Sequence, residues 1–600
     1  MIEFAHLHCH TRYSIQDAIP TNKAYIDAIY EQNQNSTKYN CIGIAATDHG
    51  VLYSLVKHYN ACNNPDHEER KTKAIYGCEV YHCIDLNNNP NKERYHLVLL
   101  AVTQEGLTNL YQIVSHGGVN ITKGRQKAFP VTDLDFMSKH GKGIIALTAC
   151  VGGLIPSLLL TGHQDKAIEY IDKFRSIFDD VYLEVQPHDF PDQLLVNAIL
   201  VDIAAHTGIK LVMTSDSHYI KETDNQYHNI LKNMAHQMTF TTNNHLFSGE
   251  EMEEYCINHN IPLEAISNSA NIAYACNVNP KPKDHSALLP VFPCPPGYDE
   301  ASYLRKLSFE GLKKKLEKNV TLDPIKYIKK MIYELEIICN AGFAGYFLIL
   351  GDWFEWCRLN DILCGPGRGS AAGSIVSYSL DITKVDPIKN GFFFERFLNP
   401  GRLEFPDVDT DLPRSKRAEA IGYLLTKYGA QNVSQIITFG EYKLKNTIKS
   451  IMSFLNCPFQ ESNEITREIP DIIDGHNVTY ELIEDIANNP DNGKYAGMTD
   501  REKQSLSKTY DKLQVIFQKY PVVYAGVQNL CGCISNTGIH AGGVIISNKP
   551  INENAAILQG GDTAVLPLIQ FEMNDLDFFG FLNTMGNVNA GYMRGLAKAL

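Results

Sequence analysis

Over the first part of the chain, short apolar runs alternate with amphipathic stretches. Residues 41–46, 96–102, 143–147 and 210–214 read as strands between helix-like segments, the rhythm of an α/β layer or barrel. Prolines at 280, 282, 290, 293, 295 and 296 break that rhythm, because proline fits neither a helix interior nor a central strand. They predict a linker at 281–298 after a first domain at 1–280. Apolar positions then recur at helical spacing over 301–319 and 324–341, followed by a glycine-rich turn and an acidic extended stretch. A second domain therefore opens at 299–440. Residues 441–520 read as mostly helical, and the apolar run 542–547 marks a return to mixed α/β within 521–600.

Composition narrows the class. Six hundred residues exceed what one core usually serves, and 44% hydrophobic with 20% charged residues describes a globular chain. The net charge of −14 excludes a wholly basic nucleic-acid wrapper but leaves room for a local basic groove. The lysine-rich stretches 313–315, 326–330 and 443–449 read as solvated helix faces. Fifteen cysteines are scattered without CxxC pairs, so reduced thiols are expected. The start of the chain has no basic region followed by an apolar core, and the apolar run 343–350 is too short for a bilayer. The expectation is a cytoplasmic protein without a membrane partner.

Two constellations carry chemistry. The first opens at His6-Leu7-His8-Cys9-His10, a strand whose alternate side chains share a face, so His8 and His10 can hold one ion. Paired surface histidines would look the same. Similar groups recur, however, at the ends of later strand-like runs: Asp17, His49 in Thr47-Asp48-His49-Gly50, Glu79, His96, Cys150, and Asp216-Ser217-His218. Loops that follow strands are where α/β barrels place their chemistry. Imidazole, carboxylate and thiolate together suit zinc or manganese and a hydrolytic cluster.

The second is the run 364–374, Cys-Gly-Pro-Gly-Arg-Gly-Ser-Ala-Ala-Gly-Ser, with four glycines around Arg368. Glycines let backbone amides surround phosphate oxygens, and arginine adds a bidentate charge. Further along, Asp407, Asp409 and Asp411 alternate in what reads as an extended strand, which aims all three carboxylates to one side. Like charges so close call for cations, and carboxylates suit magnesium. Together the motifs describe two-metal phosphoryl transfer, with the carboxylates holding the ions and the turn gripping a triphosphate.

These motifs resemble the bacterial replicative DNA polymerases of the C family, the DNA polymerase III alpha subunits. His-Leu-His-Cys-His-Thr, Thr-Asp-His-Gly, Gly-Cys-Glu-Val-Tyr, Thr-Ala-Cys and Ser-Asp-Ser-His-Tyr follow the order of the PHP domain that opens those chains. The resemblance implies a distorted β/α barrel with metal at His8, His10, Asp17, His49, Glu79, His96, Cys150, Asp216 and His218, and a proofreading 3′–5′ exonuclease activity; a metal kept only for the fold is the alternative. The segments 342–350, 365–374, 394–400, 406–411, 435–440 and 538–543 are similar to that family's palm. They imply a nucleotidyltransferase-type, polymerase beta-like palm interrupted by a helical thumb. Asp409 and Asp411 match its paired metal ligands, and Arg368, Gly369 and Ser370 its contacts to the incoming nucleotide. Asp407 matches a structural position, and His540 lies in a motif without an assigned role.

One segment departs from the family. Where its pattern has lysine and a third catalytic aspartate, this chain has Asn583 and Met585, which supply neither positive charge nor a hard-ion ligand. Asp575 and Asp577 stand several residues too early to replace them. The sequence also stops near the point where the family's fingers begin. The implied function is template-directed DNA synthesis from deoxynucleoside triphosphates on primer-template DNA. Clamp and clamp-loader partners follow only if the C-terminal parts are supplied. The alternatives are a PHP nuclease or phosphoesterase with a defective palm, and a non-catalytic remnant completed by a second chain.

Overall fold

Nine strands among the described residues give the first part of the protein its frame: β1 (Ile2–His6), β2 (Tyr39–Ala46), β3 (Lys73–Cys83), β4 (Tyr95–Ala101), β5 (Ile121–Lys123), β6 (Ala128–Asp133), β7 (Ile144–Leu147), β8 (Asp180–Val185) and β9 (Leu211–Met213). The computed structural model describes residues 1–123, 128–235, 237, 242–282, 288–319, 321–399, 406, 408–467, 469–473, 476–490, 492, 495, 497–561, 564–579 and 581. They divide into two compact units, one of Met1–Gly117, Thr122–Val278 and Phe439–Thr537, the other of Gly118–Ile121, Asn279–Thr438 and the residues from Gly538 onward.

In the first unit the sheet runs β1-β2-β3-β4-β7-β8-β9. β2 and β6 share β3, pairing with residues 73–76 and 81–83 respectively, so Glu79 lies between the two pairings. The sheet curls until its ends meet: the amide of His10 donates to the Ser217 carbonyl at 2.8 Å, and the amide of Ser217 to the His8 carbonyl at 3.2 Å. Leu7, Val98, Leu100, Leu147 and Val212 fill the interior, each contributing about 1.5–3 kcal/mol by burial. The helix Glu264–Ala275 lies across the first and last strands. Asn268 donates to the Leu211 carbonyl at 2.9 Å, and Ser269 accepts from the Ala5 amide at 2.9 Å.

Two helices border the sheet near its start. α1 (Asn22–Asn35) is capped by Thr21, which accepts from the Ala24 amide at 3.0 Å, and α2 (Leu55–Cys62) follows β2. The helices Leu444–Phe454, Phe459–Thr466, Tyr480–Asn488, Asp500–Lys519 and Pro521–Leu530 complete the unit. Their amphipathic faces are buried with Ile19, Tyr219, Ile230 and Leu231, which share one core with Leu444, Ile448, Ile451 and Leu530. The segment 441–520, expected from the sequence as a helical insertion, packs within the first unit through this shared core.

The second unit gathers the helices Glu300–Lys318, Pro324–Asn340, Ala344–Leu359 and Arg417–Tyr428 around Phe347, Trp353 and Ile375. The indole of Trp353 donates to the Ala420 carbonyl at 2.9 Å. Between Ala275 and Glu300 the described residues form neither α-helix nor strand. No single helix among the described residues is long and apolar enough to cross a membrane.

The acidic stretch differs from the sequence reading in one respect. Residues 408–412 belong to no strand, although Val408, Thr410 and Leu412 are buried while Asp409 and Asp411 are partly exposed. The extended chain keeps its two-residue alternation without a ladder, because three inward side chains anchor it to the core. Asp407, Asn583 and Met585 lie outside the described residues.

Candidate functional sites

The first site collects side chains from the ends of the curled sheet. His8 and His10 leave β1, Asp17 follows in the loop to α1, His49 follows β2, Glu79 lies within β3, His96 within β4, Cys150 follows β7, and Asp216 and His218 follow β9. The site therefore brings together all nine groups singled out in the sequence. The Glu79 carboxylate is central: Oε2 lies 2.6 Å from His49 Nδ1 and 3.3 Å from His10 Nε2, and Oε1 lies 2.8 Å from His96 Nδ1. Asp216 Oδ1 stands 3.3 Å from His8 Nε2 and 3.2 Å from His10 Nε2. Cys150 Sγ is 3.6 Å from His96 Nδ1. Asp17 Oδ2 is 3.2 Å from His49 Nε2. A cavity of about 520 Å³ gives access to the cluster.

Sequence reasoning missed two groups here. Glu184 in β8 is fully buried, with Oε1 2.6 Å from His8 Nδ1, and it also accepts from the Ala149 amide at 2.8 Å. A carboxylate at Nδ1 fixes that nitrogen as the protonated one and turns the Nε2 lone pair toward the cluster. The signal available was a lone acid in a buried apolar strand. The other is Lys232, buried on the helix Asn225–Met234, whose ammonium contacts Asp17 Oδ1; no motif marks it.

Burial works against charge throughout the cluster, yet mutual attraction overrides it for several members. Asp216, Glu184 and Glu79 raise the His8 imidazole well above its ordinary range, while His96, His49 and His8 hold Glu79 well below the carboxylate range. Lys232 and His49 do the same for Asp17. Burial and the neighbouring His10 instead depress His218. Glu79 Oε2 and Asp216 Oδ1 are buried and accept no hydrogen bond among the described residues, although imidazole nitrogens crowd them. Acceptors and imidazole lone pairs converging on shared points fit a cation. Three such groupings occur, His10 with His49 and His218, His8 with His10 and Asp216, and His49 with Glu79 and His96. Divalent cations fit this set.

The second site lies in the second unit. Arg368 joins the two aspartates: Nη1 is 3.1 Å from Asp409 Oδ2, and Nε is 3.3 Å from Asp411 Oδ1. The glycine turn closes directly on them. The Gly365 amide donates to the Asp411 carbonyl at 2.9 Å, and a Cβ at Gly365 would lie 2.9 Å from the Asp411 Cβ. Gly369 has φ of +69°, and a Cβ there would lie 3.2 Å from Asp409 Oδ2. Glycine is therefore required at 365 for close approach and at 369 for backbone conformation as well. Ser370 begins a short 3₁₀ turn, Ser370–Gly373, and is exposed.

Behind the turn, the buried Glu334 accepts from Ser374 Oγ at 2.8 Å and from the amides of Ile375 and Val376 at 2.8 and 3.2 Å. Burial raises its carboxyl to about 7 against those hydrogen bonds. His540, whose role the sequence left open, accepts the Gly543 amide at Nδ1 at 2.9 Å, and burial lowers its pKa. That makes it a local brace. Asp575 is buried and Asp577 exposed.

Comparison with known proteins gives two matches along the chain. The family model for the PHP domain matches residues 6–188, and that for the bacterial DNA polymerase III alpha NTPase domain matches residues 302–584. The chain is 32% identical to DNA polymerase III subunit alpha of Aquifex aeolicus over 97% of its length. The chain belongs to the bacterial DNA polymerase III alpha family. It is also 35% identical to the DNA polymerase III subunit alpha of Borreliella burgdorferi over 92% of its length, and 30% identical to that of Treponema pallidum over 97%. The chain spans about half the length of these relatives: 50%, 45% and 47% respectively.

Proposed function

We propose that this chain carries the nucleotidyl-transfer centre of a DNA-directed DNA polymerase, which adds deoxynucleoside triphosphates to a primer 3′-hydroxyl on template DNA. The observation that carries this reading is the closure of the glycine turn on Asp409 and Asp411, with Arg368 between them. Asp409 and Asp411 would hold magnesium, which when bound supplies charge stabilisation for displacement at phosphorus. Gly369 and Ser370 leave the turn open to a triphosphate, and Arg368 brings a cation to the same place. On this reading residues 299–440 and 521–600 supply the palm and 441–520 the thumb. Primer-template DNA and deoxynucleotides are the substrates, replisome subunits such as clamp and clamp loader the partners, and the cytoplasm the setting.

The PHP cluster supports a second activity, 3′–5′ hydrolysis of phosphodiesters. His8, His10, Asp17, His49, Glu79, His96, Cys150, Asp216 and His218 would hold zinc or manganese, which when bound makes water a nucleophile at neutral pH. Glu184 orients His8, and Lys232 places a positive charge beside Asp17 at the cavity wall. The relatives favour polymerisation over a bare nuclease or a non-catalytic remnant.

Primer extension and degradation of single strands from the 3′ end separate the two centres. Asp409→Ala with Asp411→Ala should abolish extension and spare degradation, and His8→Ala with His10→Ala should do the reverse. Extension that survives the aspartate pair would refute the polymerase assignment.

A further inference from the structure

The cavity of about 520 Å³ at the first site has two kinds of wall. One part holds the metal-ligand candidates with His228 and Lys232. Another, formed by Gln186, His188, Phe190, Gln193, Thr242 and Asn244, carries no carboxylate, ammonium or guanidinium. These residues come from the end of β8, the first turn of the helix Pro191–Thr207 and the stretch ahead of the helix Gly249–His259. His188 belongs to the uncharged part as well. Its Nδ1 lies 3.0 Å from the Asn243 carbonyl oxygen, which can only accept, so the proton sits there, and burial depresses the pKa of the ring.

Hydrogen bonds around this wall fix which way its amides point. Gln186 Nε2 donates to Glu184 Oε1 at 3.0 Å. Asn197 Nδ2 donates to the Gln186 backbone carbonyl at 2.8 Å, so Asn197 Oδ1 is the acceptor for Gln193 Nε2 at 2.9 Å. Carboxylate and carbonyl partners leave no choice in these assignments. The two side-chain carbonyls are what remains: Gln186 Oε1 and Gln193 Oε1 are buried and accept no hydrogen bond among the described residues. Buried acceptors ordinarily find a donor. Two unmet ones on residues that line a single cavity call for a ligand that brings N–H groups. Phe190, partly exposed on the same wall, offers an aromatic face beside them. A flat ring with N–H groups along its edge answers both features, and that is the chemistry of a nucleobase.

We propose that this wall is the nucleobase subsite of the hydrolytic centre, with Gln186 and Gln193 accepting from the edge of the base and Phe190 packing on its face. The inference rests on reading the cluster as a centre for phosphodiester hydrolysis, and adds that the centre grips the nucleoside as well as the phosphate. Glu184 links the two parts, because the oxygen that holds His8 also accepts from Gln186.

Binding is measured by calorimetry on the manganese-loaded full chain bearing Asp409→Ala and Asp411→Ala, which keeps nucleotide at the second site from counting. The probes are deoxycytidine monophosphate, deoxyribose 5-phosphate, which lacks the base, and deoxycytidine, which lacks the phosphate. The monophosphate should bind about tenfold or more tighter than the sugar phosphate. Gln193→Met should cut that advantage about threefold or more and Phe190→Ala about fivefold or more, both leaving the sugar phosphate unaffected. Because Gln193→Met deletes an unmet acceptor along with one hydrogen bond, its melting temperature should hold. A glutamine that is merely structural gives the reverse, a lowered melting temperature with unchanged binding. If the sugar phosphate fails to bind while deoxycytidine binds and is lost in Gln193→Met, the reading of the cluster fails and the subsite stands. The proposal is overturned if the monophosphate binds no tighter than the sugar phosphate and deoxycytidine does not bind, or if folded Gln193→Met and Phe190→Ala bind the monophosphate as the parent chain does.

Discussion

Glu184 shows how a single side chain sets the chemistry of the first site. Its carboxylate fixes the His8 ring from behind, at 2.6 Å. Glu184→Gln removes the charge and keeps the shape, so it should weaken retention of a divalent metal about 10–100-fold, the usual effect of losing such a support. Metal content after dialysis against graded chelator measures it; retention equal to wild type would show that His8 needs no such orientation. The nine positions expected to bind metal could be picked out because they sit in short motifs within or just beyond strands. Glu184 and Lys232 could not, because their meaning comes from chain segments brought together only by folding. The sequence reading made Arg368 a phosphate contact; its contact with both aspartates is a matter of side-chain reach that no spacing reveals.

At the scale of elements, Glu334 ties the helix Pro324–Asn340 to the end of the glycine turn. Its carboxyl is raised in the folded state from 4.5 to about 7. A raised folded-state value favours the neutral form, so this contribution to stability is fully present below pH 4.5 and is lost as pH rises through about 7. The loss amounts to about 3 kcal/mol over that window. Denaturant unfolding of Glu334→Gln across the same range should lack this slope; identical profiles for both proteins would remove Glu334 as its source. Helix boundaries were readable from periodicity, the helices Glu300–Lys318 and Pro324–Asn340 falling where apolar spacing placed them. The acidic stretch was misread as a strand because alternation of buried and exposed residues requires an extended chain but not a neighbouring one. Anchoring by Val408, Thr410 and Leu412 produces the same pattern.

For the first unit as a whole, the shared core matters more than the order of segments along the chain. Leu231 and Ile448 are both fully buried in it, one from the helix Asn225–Met234 and the other from Leu444–Phe454. Ile448→Ala should therefore destabilise the unit by about 2–5 kcal/mol and lower the midpoint for the curled sheet and the helical segment together. Unfolding followed by both far-ultraviolet dichroism and metal release tests this; two separated transitions in wild type would mean that the segments fold independently. The sequence could not reveal this grouping, since amphipathic faces announce that they need a partner without naming it.

The closure of the curled sheet has a consequence for how the protein comes apart. His8 and His10 stand on one side of the seam and Asp216 and His218 on the other, joined by backbone hydrogen bonds, by the Tyr25 hydroxyl, which donates to the carbonyls of both His10 and Ser217, and by the helix laid across it. A cation held by His8, His10 and Asp216 would act as a clasp across this seam of the curled sheet. Loss of metal should therefore speed unfolding far more than it slows folding, because the clasp can fasten only after the most distant strands have met.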